Sequence, residues 1–330
     1  MSRFTLATLL GATLMASLLA GVRFGPVELT TAEVLAALTS GDVEMHRDIV
    51  LQLRLPRMLL GVLVGGGLAL AGATFQALLR NPLAEPYILG ISGGASVGAV
   101  AVIALGWAGF GSWSLPLAAF AGALLAIALV FRVATASGRA MDVRVLLLAG
   151  VVVAAFFSAC IGFVLSISSA LTIQRAVLWI MGSLALASWQ SVLLAAVYTL
   201  PAAVVLIALA RPLNLMAIGE ETAHYLGADV EGVKRTALVV AALITAAGVA
   251  VAGVIGFVGL VVPHAIRLLI GSDHRALLPL SFLGGAAFLT LADLIARLAF
   301  DPIEIPIGIV TAFVGVPIFL VLLRRSLAGI

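Results

Sequence analysis

Between Arg235 and Arg267 the chain runs 31 residues without an acidic, lysine or arginine side chain. As one α-helix that run would measure about 46 Å at 1.5 Å per residue, well beyond the ~30 Å hydrocarbon layer of a bilayer. Gly253, Gly256 and Gly259 mark its middle. The expected solution is two spans, 236–253 and 256–270, joined by a tight turn; a single tilted helix is the alternative. Uncharged runs elsewhere predict further spans at 4–22, 58–79, 87–107, 115–131, 145–167, 190–210, 277–299 and 307–323. Charged residues make up 10% of the chain, against roughly 25% in soluble domains. The expected class is an all-α polytopic membrane protein of about ten transmembrane helices, one transmembrane domain over 1–330 with no linker long enough for a second. The alternating segments of a β-barrel do not occur in the sequence.

Charge fixes the parity. With ten spans and the N-terminus inside, the inner side carries Arg3, Arg80, Arg132, Arg139, Arg144, Arg211, Lys234, Arg235, Arg267, Arg275, Arg324 and Arg325. The outer side carries Arg23, Arg47, Arg54, Arg57, Arg175 and Arg297. Twelve against six obeys the positive-inside bias; nine spans would move Arg275, Arg324 and Arg325 outside. Both termini are therefore expected inside, and the apolar N-terminus is read as an uncleaved first helix rather than a secretory signal. A pI near 9.6 reflects these loop charges and implies no nucleic-acid partner. Arg54, Arg57 and Arg297 lie on the outer side against the bias.

Gly and Ala abound, and small residues let helix backbones approach closely in a bilayer; "GISGGASVG" (90–98) reads as helix packing rather than a phosphate cradle. Segments 63–90 and 244–271 align without gaps with eight of 28 positions identical. That match fits either an inverted internal repeat or a shared packing composition. The single Cys160 excludes an intrachain disulfide, and the four histidines show no metal-ligand spacing. His264 is expected to make an internal hydrogen bond. No Walker-type loop occurs, so ATP hydrolysis by that machinery is not expected of this chain. Asp293 lies deep in a span, where a carboxylate marks an ion path by default. Here it is expected to bond Arg297 one turn on or a hydroxyl. A membrane-embedded enzyme would need converging polar side chains in the spans, and none are apparent.

Two connecting segments stand out. The loop 211–235 carries both charge signs and two helical stretches broken by Gly219 and Gly227. Leu213, Leu215, Met216, Ile218, Ala223 and Leu226 fit a short helix lying on the membrane face and docking a soluble partner. Residues 168–189 read as a short outer helix with Trp179 and Trp189 at interface depth.

The motifs "RLPR" (54–57), "GATFQALLRNPLAEPYILGISGGA" (72–95), "LLLAG" (146–150), "WIMGSL" (179–184), "AIGEETAHYLG" (217–227), "GFVGLVVPHAIR" (256–267), "GSDHRALLP" (271–279) and "EIPIGIVTAFVGVPIF" (304–319) occur in that order. The chain thereby resembles, over nearly its whole length, permease subunits of the iron-siderophore, haem and vitamin B12 family of ABC importers, the type II importers. The resemblance implies a bacterial inner-membrane permease with no cofactor of its own. Its expected partners are a second copy, two cytoplasmic ATPase subunits that bind ATP and Mg, a substrate-binding protein, and lipid. It implies that outer arginines Arg54, Arg57 and Arg297 grip the binding protein. It places ATPase coupling on Ala217, Ile218, Gly219, Glu220, Glu221, Ala223, Leu226 and Gly227, and a cytoplasmic gate at Asn81, Pro82, Leu83, Val143 and Arg144. The pathway would run along Phe156 to Ser166 and Ile309 to Phe319. Val143 and Arg144 stand where relatives often carry small polar residues. The expected activity is ATP-driven import of an iron-siderophore, corrinoid or haem. The rival is an ion-coupled secondary transporter, which would need a carboxylate relay around Asp293.

Overall fold

The computed structural model describes residues 1–39, 43–107, 111, 113–135 and 143–328. Regular structure among them is helical. It runs α1 (Arg3–Arg23), α2 (Thr31–Thr39), α3 (Glu44–Asp48), α4 (Leu55–Leu78), α5 (Ile91–Ala104), α6 (Ser114–Thr135), α7 (Val143–Ser166) and α8 (Ala170–Ile180). Then come α9 (Trp189–Ala208), α10 (Ala210–Ile218), α11 (Glu220–Tyr225), α12 (Val230–Ala252), α13 (Val258–Ile270), α14 (His274–Leu298) and α15 (Ile307–Ala328). Each of the ten expected spans coincides with a helix. Among the described residues seven segments are long and apolar enough to cross a membrane: α1, Glu44–Leu78, α6, α7, α9, α12 and α14. The short helices α5 and α13 each follow a break. The run after Arg235 does divide, at Gly253–Phe257, because Gly253 turns out of α12 at φ 70° and Phe257 caps α13 at φ 69°.

The bundle has two ends. The basal end holds Arg3, the turn after α4, the unit α10–α11 and the turn before α14, joined by pairs such as Arg3–Asp273 at 3.0 Å. The apical end holds the segment after α1, α8 and the turn before α15. Side-chain caps set several helix starts: Ser2, Ser188, Asp229 and Asp273 accept from backbone N–H groups of α1, α9, α12 and α14. Such caps satisfy donors that the helix itself leaves open.

Small residues make the core. A Cβ on Gly65 of α4 would fall 2.6 Å from Leu289 Cβ in α14, and one on Gly94 of α5 would fall 2.8 Å from Ala126 Cβ in α6. These backbones touch because nothing larger than hydrogen separates them, and close dispersion contact is the main cohesive term between helices in lipid. The Gly-rich stretch 90–98 is therefore packing surface.

Two differences from expectation have local causes. The second span extends upward as one helical segment from Glu44, 35 residues in all, which at 1.5 Å per residue is about 52 Å. Its register widens to π over Ile49–Arg54, just ahead of Pro56, which has no N–H to donate and whose ring crowds the carbonyl four residues back. The extension packs Val50 against Leu29 and Ala37 in a small separate core. The similarity of 63–90 to 244–271 does not carry over position by position: ungapped alignment sets the break Gly253–Phe257 over residues 72–76, which lie within continuous α4, while the break after α4 comes later. The two segments pack on each other, α4 against both α12 and α13.

Candidate functional site

Irregular backbone inside a bilayer must find its hydrogen bonds within the protein. The break after α4 and the break before α13 supply each other. The Tyr87 hydroxyl donates to Ile255 O and accepts from Ile255 N, both at 3.1 Å. Glu85 Oε1 accepts from Phe257 N at 2.9 Å. Buried Gln76 donates from Nε2 to Gly259 O and Leu260 O at 3.3 and 3.2 Å, and its Oε1 accepts from Arg267 at 2.8 Å. Sequence reasoning passed over all three residues, although a Gln inside an apolar span and a Glu between two prolines were the available signals.

The expected gate residues Asn81, Pro82 and Leu83 sit on this turn, with Pro82 and Leu83 exposed. Asn81 Oδ1 accepts from Leu83 N at 2.9 Å, which closes the turn on itself. Val143 and Arg144 open α7; their side chains lie outside the described residues.

The unit α10–α11 folds as expected into two short helices. Gly219 joins them at φ 155°, ψ 143°, and Gly227 leaves α11 at φ 83°. Both suit glycine, because a Cβ disfavours those regions. Leu213, Met216 and Ala223 are buried. Ile218 and Leu226 are not: they are 72% and 61% exposed, beside Tyr225 at 87%. The expected apolar residues therefore divide, three packed into the bundle and Ile218 and Leu226 left open on the chain. The hinge at Gly219 turns α11, so one set packs inward while Ala217, Ile218, Glu221, Leu226 and Gly227 face out. Glu220 is partly exposed and paired within the chain, with Lys234 on one oxygen and Arg80 3.5 Å from the other.

Asn214 locks this unit to α14. Its Nδ2 donates to Asp273 Oδ1 at 2.7 Å, and its Oδ1 accepts from the backbone N–H of His274 at 2.9 Å. That bond from Asn214, seconded by the Arg275 N–H, holds the Asp273 carboxyl below its usual range.

At the apical end the expectation of three outward arginines fails. Arg54 and Arg297 are 5% and 3% exposed. Arg54 donates to the carbonyls of Val22, Arg23 and Val27. Arg57 donates from Nε to Asp293 at 3.0 Å and grips Glu304 with both terminal nitrogens, at 3.0 and 3.1 Å. Arg297 donates to Phe24 O and Gly21 O. Its Nε lies 3.2 Å from Asp293 as an ion pair without hydrogen-bond alignment. The physical reason is reach. Arg57 and Arg297 meet the fully buried Asp293 carboxylate, and Arg54 and Arg297 meet the open carbonyls at and just after the end of α1, so their donors are consumed internally. Asp293 is thus bonded to Arg297 as expected, and also to Arg57. His264 differs from expectation: it is 4% exposed, and neither ring nitrogen has a hydrogen-bond partner among the described residues.

Comparison with known proteins accords with this architecture. The model of the FecCD transport family matches residues 13–325. The cobalamin import system permease BtuC of Halobacterium salinarum is 46% identical over 91% of this chain and 79% of its own length. The hemin transport system permease HmuU of Yersinia pestis is 44% identical over 87% of this chain and 86% of its own. A solved structure described as an inward-facing conformation of a transporter assigned to the metal-chelate ABC type superposes with a TM-score of 0.86, at 31% identity over 97% of this chain and 99% of that one. The chain belongs to the FecCD transport family, as a transport subunit of ABC importers.

Proposed function

We propose that this permease carries a bulky metal chelate, an iron-siderophore, corrinoid or haem, as one half of a two-copy pathway in the bacterial cytoplasmic membrane. Its basal end and both termini face the cytoplasm. Two ATPase subunits, which alone hold ATP and Mg, dock on Ala217, Ile218, Glu221, Leu226 and Gly227, and nucleotide-driven motion moves the gate at Asn81, Pro82 and Leu83 together with Val143 and Arg144. The chain itself binds no cofactor. Relatives named for cobalamin and for hemin support the substrate class and leave the choice within it to the binding protein. Large apolar side chains left open on the single chain, Phe156 at 60%, Phe163 at 66% and Phe313 at 77%, support a pathway between α7 and α15 of two copies. The binding protein meets the apical end through exposed Arg23, Arg47 and Arg175, while the buried arginines hold that surface in shape.

The observation that carries the reading is the exposed apolar face of α10–α11. An apolar patch rimmed by Glu221 on a basal loop is the chemistry of a protein dock. With Cys160 replaced, Leu226→Cys and Tyr225→Cys should crosslink to the ATPase subunit, whereas buried Leu213→Cys should not. Ile218→Asp with Leu226→Asp should weaken co-purification of the ATPase by more than about tenfold, a loss of ~1.4 kcal/mol or more. Undiminished co-purification contradicts the dock.

A further inference from the structure

We infer that Arg80 is the strut through which the α10–α11 unit drives the gate. This rests on the reading of that unit as the ATPase dock and adds the residue that transmits its motion. Arg80 follows the C-cap of α4, two residues beyond Leu78, in the left-handed conformation at φ 47°. Arg80 N donates to Ala77 O at 3.3 Å and Asn81 N to Gln76 O at 3.2 Å. Helices that end this way ordinarily carry Gly or Asn at that position, because a larger residue is strained there. A strained arginine one residue before Asn81 is explained by its side chain.

That side chain spans the hinge. Its Nη2 donates to Met216 O in the last turn of α10 at 3.2 Å. The same nitrogen stands 3.5 Å from Glu220 Oε1 at the first residue of α11. Gly219, the joint between the two helices, lies between these contacts. A guanidinium suits the place: one contact is the negative end of a helix dipole and the other a carboxylate. Glu220 is fixed from behind by Lys234 of α12, whose side chain is 7% exposed. Arg80 is itself half exposed, so its ion pair adds little to folding stability. It does make any displacement of α11 against α10 a displacement of Arg80. Asn81 follows directly, and its side chain carries Leu83 with it. The turn and the hinge therefore move together.

The test needs no knowledge of the substrate. In the complex with the co-purifying ATPase and with Cys160 replaced, maleimide labelling of Leu83→Cys is followed with and without ATP and vanadate. Labelling of Leu226→Cys reports the dock separately. The strut predicts that nucleotide changes the Leu83→Cys labelling rate, and that Arg80→Gly shrinks this change about three- to tenfold while Leu226→Cys stays protected. Glycine suits the left-handed backbone, so this variant keeps the turn; Arg80→Lys should retain part of the response. A nucleotide response that survives Arg80→Gly overturns the strut. So does a parent protein with no response at Leu83, or loss of protection at Leu226 in Arg80→Gly alone. If Leu226→Cys is never protected, even in the parent, the docking reading itself fails.

Discussion

Gly72→Ala, one added methyl group, is expected to eliminate the folded protein. A Cβ at Gly72 would overlap the carbonyl oxygen of Gly259 and lie 2.6 Å from its Cα. Both obstacles are backbone, so no side-chain rotation relieves them, and α4 must move off α13. That movement costs more than local overpacking. Gly259 also abuts Pro86, whose Cδ would lie 2.6 Å from a Cβ there, and Gln76 reaches Gly259 O and Leu260 O. Separation breaks the cross-bracing that satisfies two irregular segments inside the bundle. Overpacking alone costs about 1–3 kcal/mol, and each buried polar group stranded adds about 1–3 kcal/mol. The total is comparable with the whole stability of a typical domain, about 5–15 kcal/mol. Fluorescence-detected size exclusion in mild detergent should show loss of the monodisperse peak. Gly11→Ala is the control: nothing lies within 4 Å of a Cβ there, and its peak should match the parent. A normal peak for Gly72→Ala would mean the two backbones are farther apart than described.

Asp293→Asn should be nearly as damaging, for an electrostatic reason. The carboxylate is fully buried between Arg57 and Arg297, and its loss leaves Arg297 buried without a counter-charge. Breaking one side of a buried pair costs about 3–5 kcal/mol, whereas replacing both partners by apolar residues is often neutral. The double variant Asp293→Leu with Arg297→Leu should therefore recover much of the folded protein that Asp293→Asn loses. Recovery will be incomplete, because Arg297 also holds the end of α1 through Phe24 O and Gly21 O. This pattern separates a structural carboxylate from an ion relay. A relay predicts normal folding of Asp293→Asn with transport abolished, and no rescue by the double change.

The apical network also shows where sequence ceases to inform. The ten spans, the division of the long uncharged run at Gly253 and the two-part loop around Gly219 and Gly227 were legible, because each depends on local hydropathy or on glycine's backbone freedom. The pair Asp293–Arg297 was legible because residues four apart share a helix face. Arg57 meets Asp293 across 236 positions, and nothing local encodes that approach. Side preference read from charge put Arg54, Arg57 and Arg297 together, and they do share one end of the bundle, but counting cannot distinguish a guanidinium facing water from one consumed by buried partners. The partners of Glu220 were beyond sequence for the same reason: Arg80 and Lys234 reach it from the end of α4 and from α12, 140 and 14 positions away. Gln76, Glu85 and Tyr87 escaped notice because their partners are the backbone of a break whose conformation only the packed bundle fixes.

As in ABC importers generally, motion of this chain is powered by nucleotide hydrolysis on a separate subunit. The most direct measurement is uptake of a labelled corrinoid and a labelled ferric chelate, in parallel, into proteoliposomes holding the permease, its ATPase and the binding protein. Accumulation against a gradient should require ATP, vanish when the ATPase carries an inactivating substitution, and persist when ionophores collapse proton and sodium gradients. Uphill accumulation without a working ATPase, or accumulation abolished by the ionophores while ATP hydrolysis continues, would contradict it.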